Sequence, residues 1–256
     1  MTSASGGGQG SSGVSAEAAE VTKTLKAALE HEPRVDLQSD QIEIQFEDGA
    51  AILAGEVSSI AAKRLTLEAV AALPTVTGII DRLHVKPAEP MGDGAIADHL
   101  EHAVTQESSF DQCGIRRRVG EARDTVRSVR ADGNRWWVEL GIENGIITLD
   151  GDVPSLSHKR LAGALAWWVP GSRDVINGLA VEPPEEDSDD EILDALRLVL
   201  EKDPLIDATQ IRARCSNAVV TLQGLVESDA EKDLVEFDAW ALFAVDKVIN
   251  RIEVSH

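Results

Sequence analysis

One block of sequence occurs three times along this chain, and that triplication limits the possible folds more than any other feature. The copies are Asp48-Gly49-Ala50-Ala51-Ile52-Leu53-Ala54-Gly55-Glu56-Val57, Asn144-Gly145-Ile146-Ile147-Thr148-Leu149-Asp150-Gly151-Asp152-Val153 and Asn217-Ala218-Val219-Val220-Thr221-Leu222-Gln223-Gly224-Leu225-Val226. Each has a turn dipeptide, a strand-forming run and a glycine. From that glycine to the end of a second alternating run the separation is identical in all copies: Gly55 to Val85, Gly151 to Val181 and Gly224 to Val254. Equal spacing in three copies marks one supersecondary unit repeated in tandem.

The patterning inside the unit gives its elements. Ahead of the turn, apolar residues alternate with period two, as in Ile42, Ile44 and Phe46 or Val138, Leu140 and Ile142. With Asp48-Gly49 or Asn144-Gly145 behind them, these runs predict a β-hairpin. After the glycine the period becomes helical: Ser228 and Glu231 form a capping box ahead of Leu234, Phe237, Ala241 and Leu242. The counterparts are Leu65, Ala69, Ala72 and Leu73, then Leu161, Leu165, Trp168 and Val169. Upstream of each hairpin lies another amphipathic helix: Val21, Leu25, Ala28, Leu29; Ile96, Leu100, Ala103, Val104; Ile192, Leu196, Val199, Leu200. The expected fold class is α+β, each repeat running helix, strand, strand, helix, strand. A helical crossover makes the last strand parallel to a hairpin strand, giving a three-stranded mixed sheet covered by two helices.

Residues 20–87, 93–183 and 187–256 hold the three repeats, behind a Gly/Ser-rich tail at 1–19 that reads as flexible. Pro87-Ala88-Glu89-Pro90-Met91-Gly92 and the acidic run Pro183–Asp190 separate them. The recurring turn and Gly-x-Val, with the closing Val175-Ile176-Asn177-Gly178-Leu179-Ala180-Val181 and Val248-Ile249-Asn250-Arg251-Ile252-Glu253-Val254, resemble the BON domain family of bacterial osmotically inducible and nodulation proteins. The resemblance covers nearly the whole ordered chain. It implies a non-catalytic α/β module of bacterial envelope and stress proteins, with phospholipid binding in some members and potassium sensing in a cytoplasmic one.

Charge disfavours nucleic acid as a partner, although an isolated arginine patch is also compatible with RNA, and it localises another class of partner. With 24 basic and 45 acidic residues the chain carries a formal −21, which opposes non-specific attraction to nucleic acid. The start lacks a charged n-region and an apolar h-region, and no run approaches a membrane-spanning length, so a cytoplasmic protein is expected. Against this acidic background the middle repeat is longer than its neighbours. Leu29 to Gly55 is 26 residues and Leu200 to Gly224 is 24, but Val104 to Gly151 is 47, an insertion of about 21 residues near 112–135. It holds Arg116, Arg117, Arg118, Arg123, Arg127, Arg130 and Arg135 against Glu121, Asp124 and Asp132, a local +4 that runs directly into Trp136-Trp137.

Such a cationic loop beside two indoles suits an anionic surface, because guanidinium groups engage phosphate in forked pairs and tryptophan suits a headgroup boundary. The same arginines are equally able to pair internally with the acidic third repeat, and the tryptophans to cover a sheet edge. Trp167 and Trp240, at matching positions on the second helices, fall on the helix flank and serve either packing between repeats or a partner surface. Lys63, Lys159 and Lys232 recur on what reads as the outward face of the same helix. His99, His102 and Cys113 lack a fourth ligand, Cys215 alternates with core residues, and no phosphate loop, Gly-x-Ser-x-Gly or Cys-x-x-Cys is present. No enzyme, metal or cofactor is expected. The leading expectation is peripheral recognition of anionic phospholipid by Arg116, Arg117, Arg118, Arg123, Arg127, Arg130, Trp136 and Trp137, in an envelope or osmotic stress setting. A potassium-sensing module and a protein scaffold acting through Trp167 and Trp240 stand as alternatives.

Overall fold

The computed structural model describes residues 19–24, 26, 27, 29, 30, 34, 35, 40–47, 49–127 and 136–255, and the chain forms two compact units, Met1–Lys86 and Pro87–His256. In the first unit, helix α1 (helical residues within 19–29) precedes β1 (Gln41–Glu47), β2 (Ala50–Val57), α2 (Ile60–Ala71) and β3 (Gly78–Val85). The sheet order is β1-β2-β3, with β1 antiparallel and β3 parallel to β2. This is the expected unit.

The second unit contains two repeats. The first runs α3 (Asp93–Gln106), β4 (Gly114–Val119), β5 (Ala122–Arg127), β6 (Trp137–Glu143), β7 (Ile146–Val153), α4 (Leu156–Trp167), β8 (Asp174–Asn177) and β9 (Ala180–Val181). The second runs α5 (Asp189–Lys202), β10 (Ile211–Ser216), β11 (Val219–Val226), α6 (Asp229–Ala241) and β12 (Lys247–Val254), with sheet order β10-β11-β12. The middle sheet has six strands, ordered β5-β4-β6-β7-β8 with β9 also on β7. The insertion read as a loop is therefore a β-hairpin over its described residues, built onto the edge of the sheet.

The recurring motif residues have mechanical roles. Gly151 and Gly224 hold φ of 128° and 157°, and a Cβ there would fall 2.0 Å from the Trp137 carbonyl oxygen and 2.2 Å from that of Gln210, so backbone against backbone admits only glycine. Asn144 and Gly145 are both left-handed, as a twisted two-residue hairpin requires. Their amides donate to the two carboxylate oxygens of Asp93, and those of Asn217 and Ala218 donate likewise to Asp189. In both repeats of the second unit the first residue of the upstream helix thus clamps the hairpin turn that follows it.

The asparagine of the closing strand joins that strand to the second helix. Asn177 Nδ2 donates to the Lys159 carbonyl at 2.7 Å and Asn250 Nδ2 to the Lys232 carbonyl at 3.3 Å, while each Oδ1 accepts from the amide two residues on. The first repeat has Asp81 at this position, which has no amide to donate. There Lys63 supplies the proton, its Nζ donating to the Leu83 carbonyl at 2.7 Å and pairing with Asp81 at 3.1 Å. The outward, solvated reading of the three lysines is corrected: Lys63 is 7% exposed, and Lys159 and Lys232 are half-buried.

The two repeats of the second unit share a core. Helix α4 is buried on every side, and its Ala162, Gly163, Ala164 and Ala166 let it lie closely between its own sheet and α5 and α6. Arg160 has no exposed surface; it pairs with Asp187 and stacks 4.5 Å over the Phe243 ring. Glu185 accepts from the Leu156 amide at 2.7 Å and Ser188 caps α5, so the acidic linker is structural rather than a spacer. Lys202 closes the far side on Glu107 at 2.9 Å.

Candidate functional site

Alternation along β4 sends its arginines to opposite sides of the sheet. Arg117 lies opposite Leu140 on the side that faces the helices, and there it pairs with Asp98 and Glu101 of α3, the latter at 3.1 Å. Its internal partners belong to its own repeat, not to the acidic third one. Arg116 and Arg118 emerge on the open face. The Arg116 guanidinium stacks 4.8 Å over the Trp137 ring, and Arg118 lies across β6 above Gly141 with its Nε 3.2 Å from Glu139. Gly141 makes this possible, since a Cβ there would sit 2.3 Å from an Arg118 nitrogen.

On β5, Arg123 pairs directly across from Arg118 and so shares the open face, where it is exposed. Thr125 stands opposite Arg116. Like charges facing each other across an antiparallel pair repel. Among the described residues Glu139 is the carboxylate bonded to this trio. A shallow hollow of about 220 Å³ continues from Arg118 over Gly141 and Thr148 to Ile176, which is 54% exposed. Arg127 belongs to β5 by its backbone, but its side chain lies outside the described residues, as do Arg130 and Arg135.

The two indoles do not act as a pair. Trp137 Nε1 donates to Asp152 at 2.9 Å on the open face, whereas Trp136 Nε1 donates to the Glu182 carbonyl at 3.1 Å. Both rings are half-buried and held by their own molecule. Of the two roles weighed for Trp240, the partner surface is corrected: at 1% exposure the ring has no surface to offer a partner. The buried residues of α6 are Val235, Asp238, Ala239, Trp240 and Ala241, so Trp240 belongs to the core-facing side of the helix and not to its flank. Trp167 is half-buried, and its neighbour Trp168 bridges the repeats, donating to Asp238 at 2.8 Å. Burial pushes the Asp238 carboxyl up to about 8, with Asp203 adding to the rise against the opposing Trp168 hydrogen bond.

His99 and His102 are exposed on α3, and among the described residues no group of three metal-ligating side chains occurs. Cys113 is buried at 2% exposure, which does not suit a reactive thiolate. The Cys215 thiol is pushed up to about 12, first by burial and then by Asp189, to which it donates.

A family model for the BON domain matches residues 17–87, 138–183 and 188–256. The chain belongs to the BON-domain family. Family members are in general non-catalytic binding domains, and the second match begins at Val138, past the arginine hairpin, so the hairpin lies outside the shared pattern. A solved structure of the C-terminal domain of CdsD, the structural protein of the type III secretion system of Chlamydia trachomatis, is similar at 14% identity with a TM-score of 0.24, covering 93% of this chain and 98% of that one. A second CdsD structure is similar at 15% identity and a TM-score of 0.23, with 92% of each chain covered. No curated protein matches the chain.

The middle repeat's partners Asp98, Glu101, Glu139 and Gly141 were not singled out by sequence. The signal for the hairpin is present in retrospect, because Ile115, Arg117 and Val119 alternate ahead of the Gly120-Glu121 turn.

Proposed function

We propose that this BON-family chain is a non-catalytic binding module that docks peripherally on anionic phospholipid through Arg116, Arg118 and Arg123. The observation that carries the reading is the Arg118 and Arg123 cross-strand pair. Two guanidinium groups are held side by side with Arg116 adjacent, and among the described residues Glu139 is the one carboxylate bonded to them, while Asp150 and Asp152 lie on the same face but on β7, so guanidinium N–H groups are left for an incoming anion. Phosphate oxygens satisfy this arrangement, since each accepts forked hydrogen bonds from a planar guanidinium. Arg117 takes no part, being held to α3, and with both indoles hydrogen-bonded internally the docking is electrostatic and non-inserting.

The net −21 of the whole chain supports a local, oriented contact: the rest of the surface is repelled by an anionic bilayer and turns away from it. Among the described residues no helix is long and apolar enough to cross a membrane. The proposal sets this docking on the cytoplasmic side of a bacterial envelope, as the sequence leads one to expect.

The test is co-sedimentation of the full chain with phosphatidylglycerol vesicles against phosphatidylcholine vesicles. Binding to the first alone, reduced by added salt and abolished by Arg116→Ala, Arg118→Ala and Arg123→Ala together, is expected. A wild-type chain that stays in the supernatant, or a triple variant that still pellets, overturns the reading.

A further inference from the structure

The arginine hairpin shows what an occupied edge looks like in the middle repeat, and among the described residues no strand pairs with the same edge of the first repeat. The upstream helices align on their buried positions, Val21 with Ile96 and Leu29 with Val104. The strands align through their pairing to the next strand: Ile42, Ile44 and Phe46 of β1 correspond to Val138, Leu140 and Ile142 of β6, each set facing the helices. In the middle repeat β4 pairs in parallel along β6, and those three residues are 0% exposed. In the first unit β1 is the outermost strand, and Ile42 and Ile44 are only half-buried. A groove of about 870 Å³ lies there between α1 and β1, lined by Lys23, Lys26, Ala27, Ile44 and Phe46.

The charges around that groove are reversed. At the centre of β4, Arg117 faces Leu140 and reaches Asp98 and Glu101 on α3. Counting from the aligned helix positions, the counterparts of Asp98 and Glu101 are Lys23 and Lys26, both exposed. Among the described residues neither is paired with a carboxylate. Glu30 and Glu47, which also line the groove, lie at the close of α1 and of β1 and leave its middle to the lysines.

We propose that the α1/β1 groove is a strand-addition site for an extended acidic segment of a partner protein. The segment lies parallel to β1 as β4 lies parallel to β6, so its backbone completes the open edge. Its pattern is apolar, any, acidic, any, apolar: the two apolar side chains cover Ile42 and Phe46, and the central carboxylate enters between Lys23 and Lys26. An arginine at that centre, as in β4, meets like charge and is rejected. The third repeat has the corresponding groove in a narrower form, about 300 Å³, with Arg197 at the Lys26 position already bonded to Asp194.

The site is separate from the arginine face and stands or falls independently of lipid docking. The test uses isotope-labelled full chain titrated with two synthetic peptides: the β4 sequence Gly114–Val119 as it stands, and the same sequence with Arg117→Glu, both with serine flanks. The altered peptide is expected to shift amide resonances of β1 and α1 and to bind about tenfold more tightly than the unaltered one. In a chain with Lys23→Glu and Lys26→Glu, exposed positions that leave the core intact, the preference is expected to reverse. Absence of saturable shifts at β1 with either peptide, shifts confined elsewhere, or an unchanged preference after charge reversal overturns the proposal. So does charge reversal that removes vesicle binding while leaving peptide binding as it was.

Discussion

Asn177 donates from its side-chain amide to the backbone carbonyl of Lys159, 18 residues earlier, and so ties the closing strand of the middle repeat to the helix that precedes it. The Val-Ile-Asn shared by the second and third repeats thus carries a structural asparagine that ties strand to helix. In the first repeat an ion pair between Lys63 and Asp81 stands in for the amide.

That substitution gives a rescue experiment. Lys63→Met takes the ion-pair partner from Asp81 and the side-chain donor from the Leu83 carbonyl, at an expected cost of about 2 kcal/mol to the first unit. Adding Asp81→Asn restores the neutral arrangement of the other repeats and should recover most of the loss in urea denaturation. Asn177→Asp should destabilise the second unit, because the ammonium of Lys159, the counterpart of Lys63, lies over the Phe243 ring, 5.1 Å from its centroid, instead of pairing at residue 177.

Gly224→Ala should prevent folding of the third repeat or cost it about 3 kcal/mol or more, because the new Cβ meets the Gln210 carbonyl oxygen at 2.2 Å. Gly94→Ala, in α3 with nothing within 4 Å of the new atom, should instead stabilise by about 0.5–1 kcal/mol. Thermal unfolding of the two variants checks the contrast.

Asp238 makes the stability of the second unit depend on pH. Its carboxyl ionises near 3.8 in the unfolded chain and, held neutral by burial, only near 8 in the fold. Between those values unfolding releases a proton, so stability falls as pH rises and the loss is complete above about pH 8. Asp238→Asn keeps an acceptor for Trp168 and removes the titration. Its gain over wild type should be small at pH 5 and grow to a few kcal/mol at pH 8.5, on the order expected for a raised buried acid. Equal gains at both pH values would contradict this account.

Arg117→Ala should cost about 1–2 kcal/mol of second-unit stability through the lost contacts to Asp98 and Glu101. Vesicle binding should be unchanged, in contrast to the Arg116, Arg118 and Arg123 variant. Denaturation and co-sedimentation on the same preparations separate the two roles of neighbouring arginines.

Much of this protein was legible in one dimension. The triplication, the two helices of each repeat, the hairpins at Asn144-Gly145 and Asn217-Ala218 and the extra length of the middle repeat all follow from local pattern, because hydrophobic period and turn chemistry act over a few residues. The same period-two logic held the β4 hairpin, yet its run of arginines read as a loop, since charge masked the alternation of Ile115, Arg117 and Val119.

What the amino-acid order alone determined, then, was which segments become helix and strand, and that the unit recurs three times. Which side each arginine takes, why Trp240 is buried while Arg116 is not, and why Lys63 is inside were decided only when distant segments met. Those outcomes depend on partners such as Asp98, Glu139, Asp81 and Trp168, and a side chain's environment is a sum over neighbours in space that sequence separation does not encode.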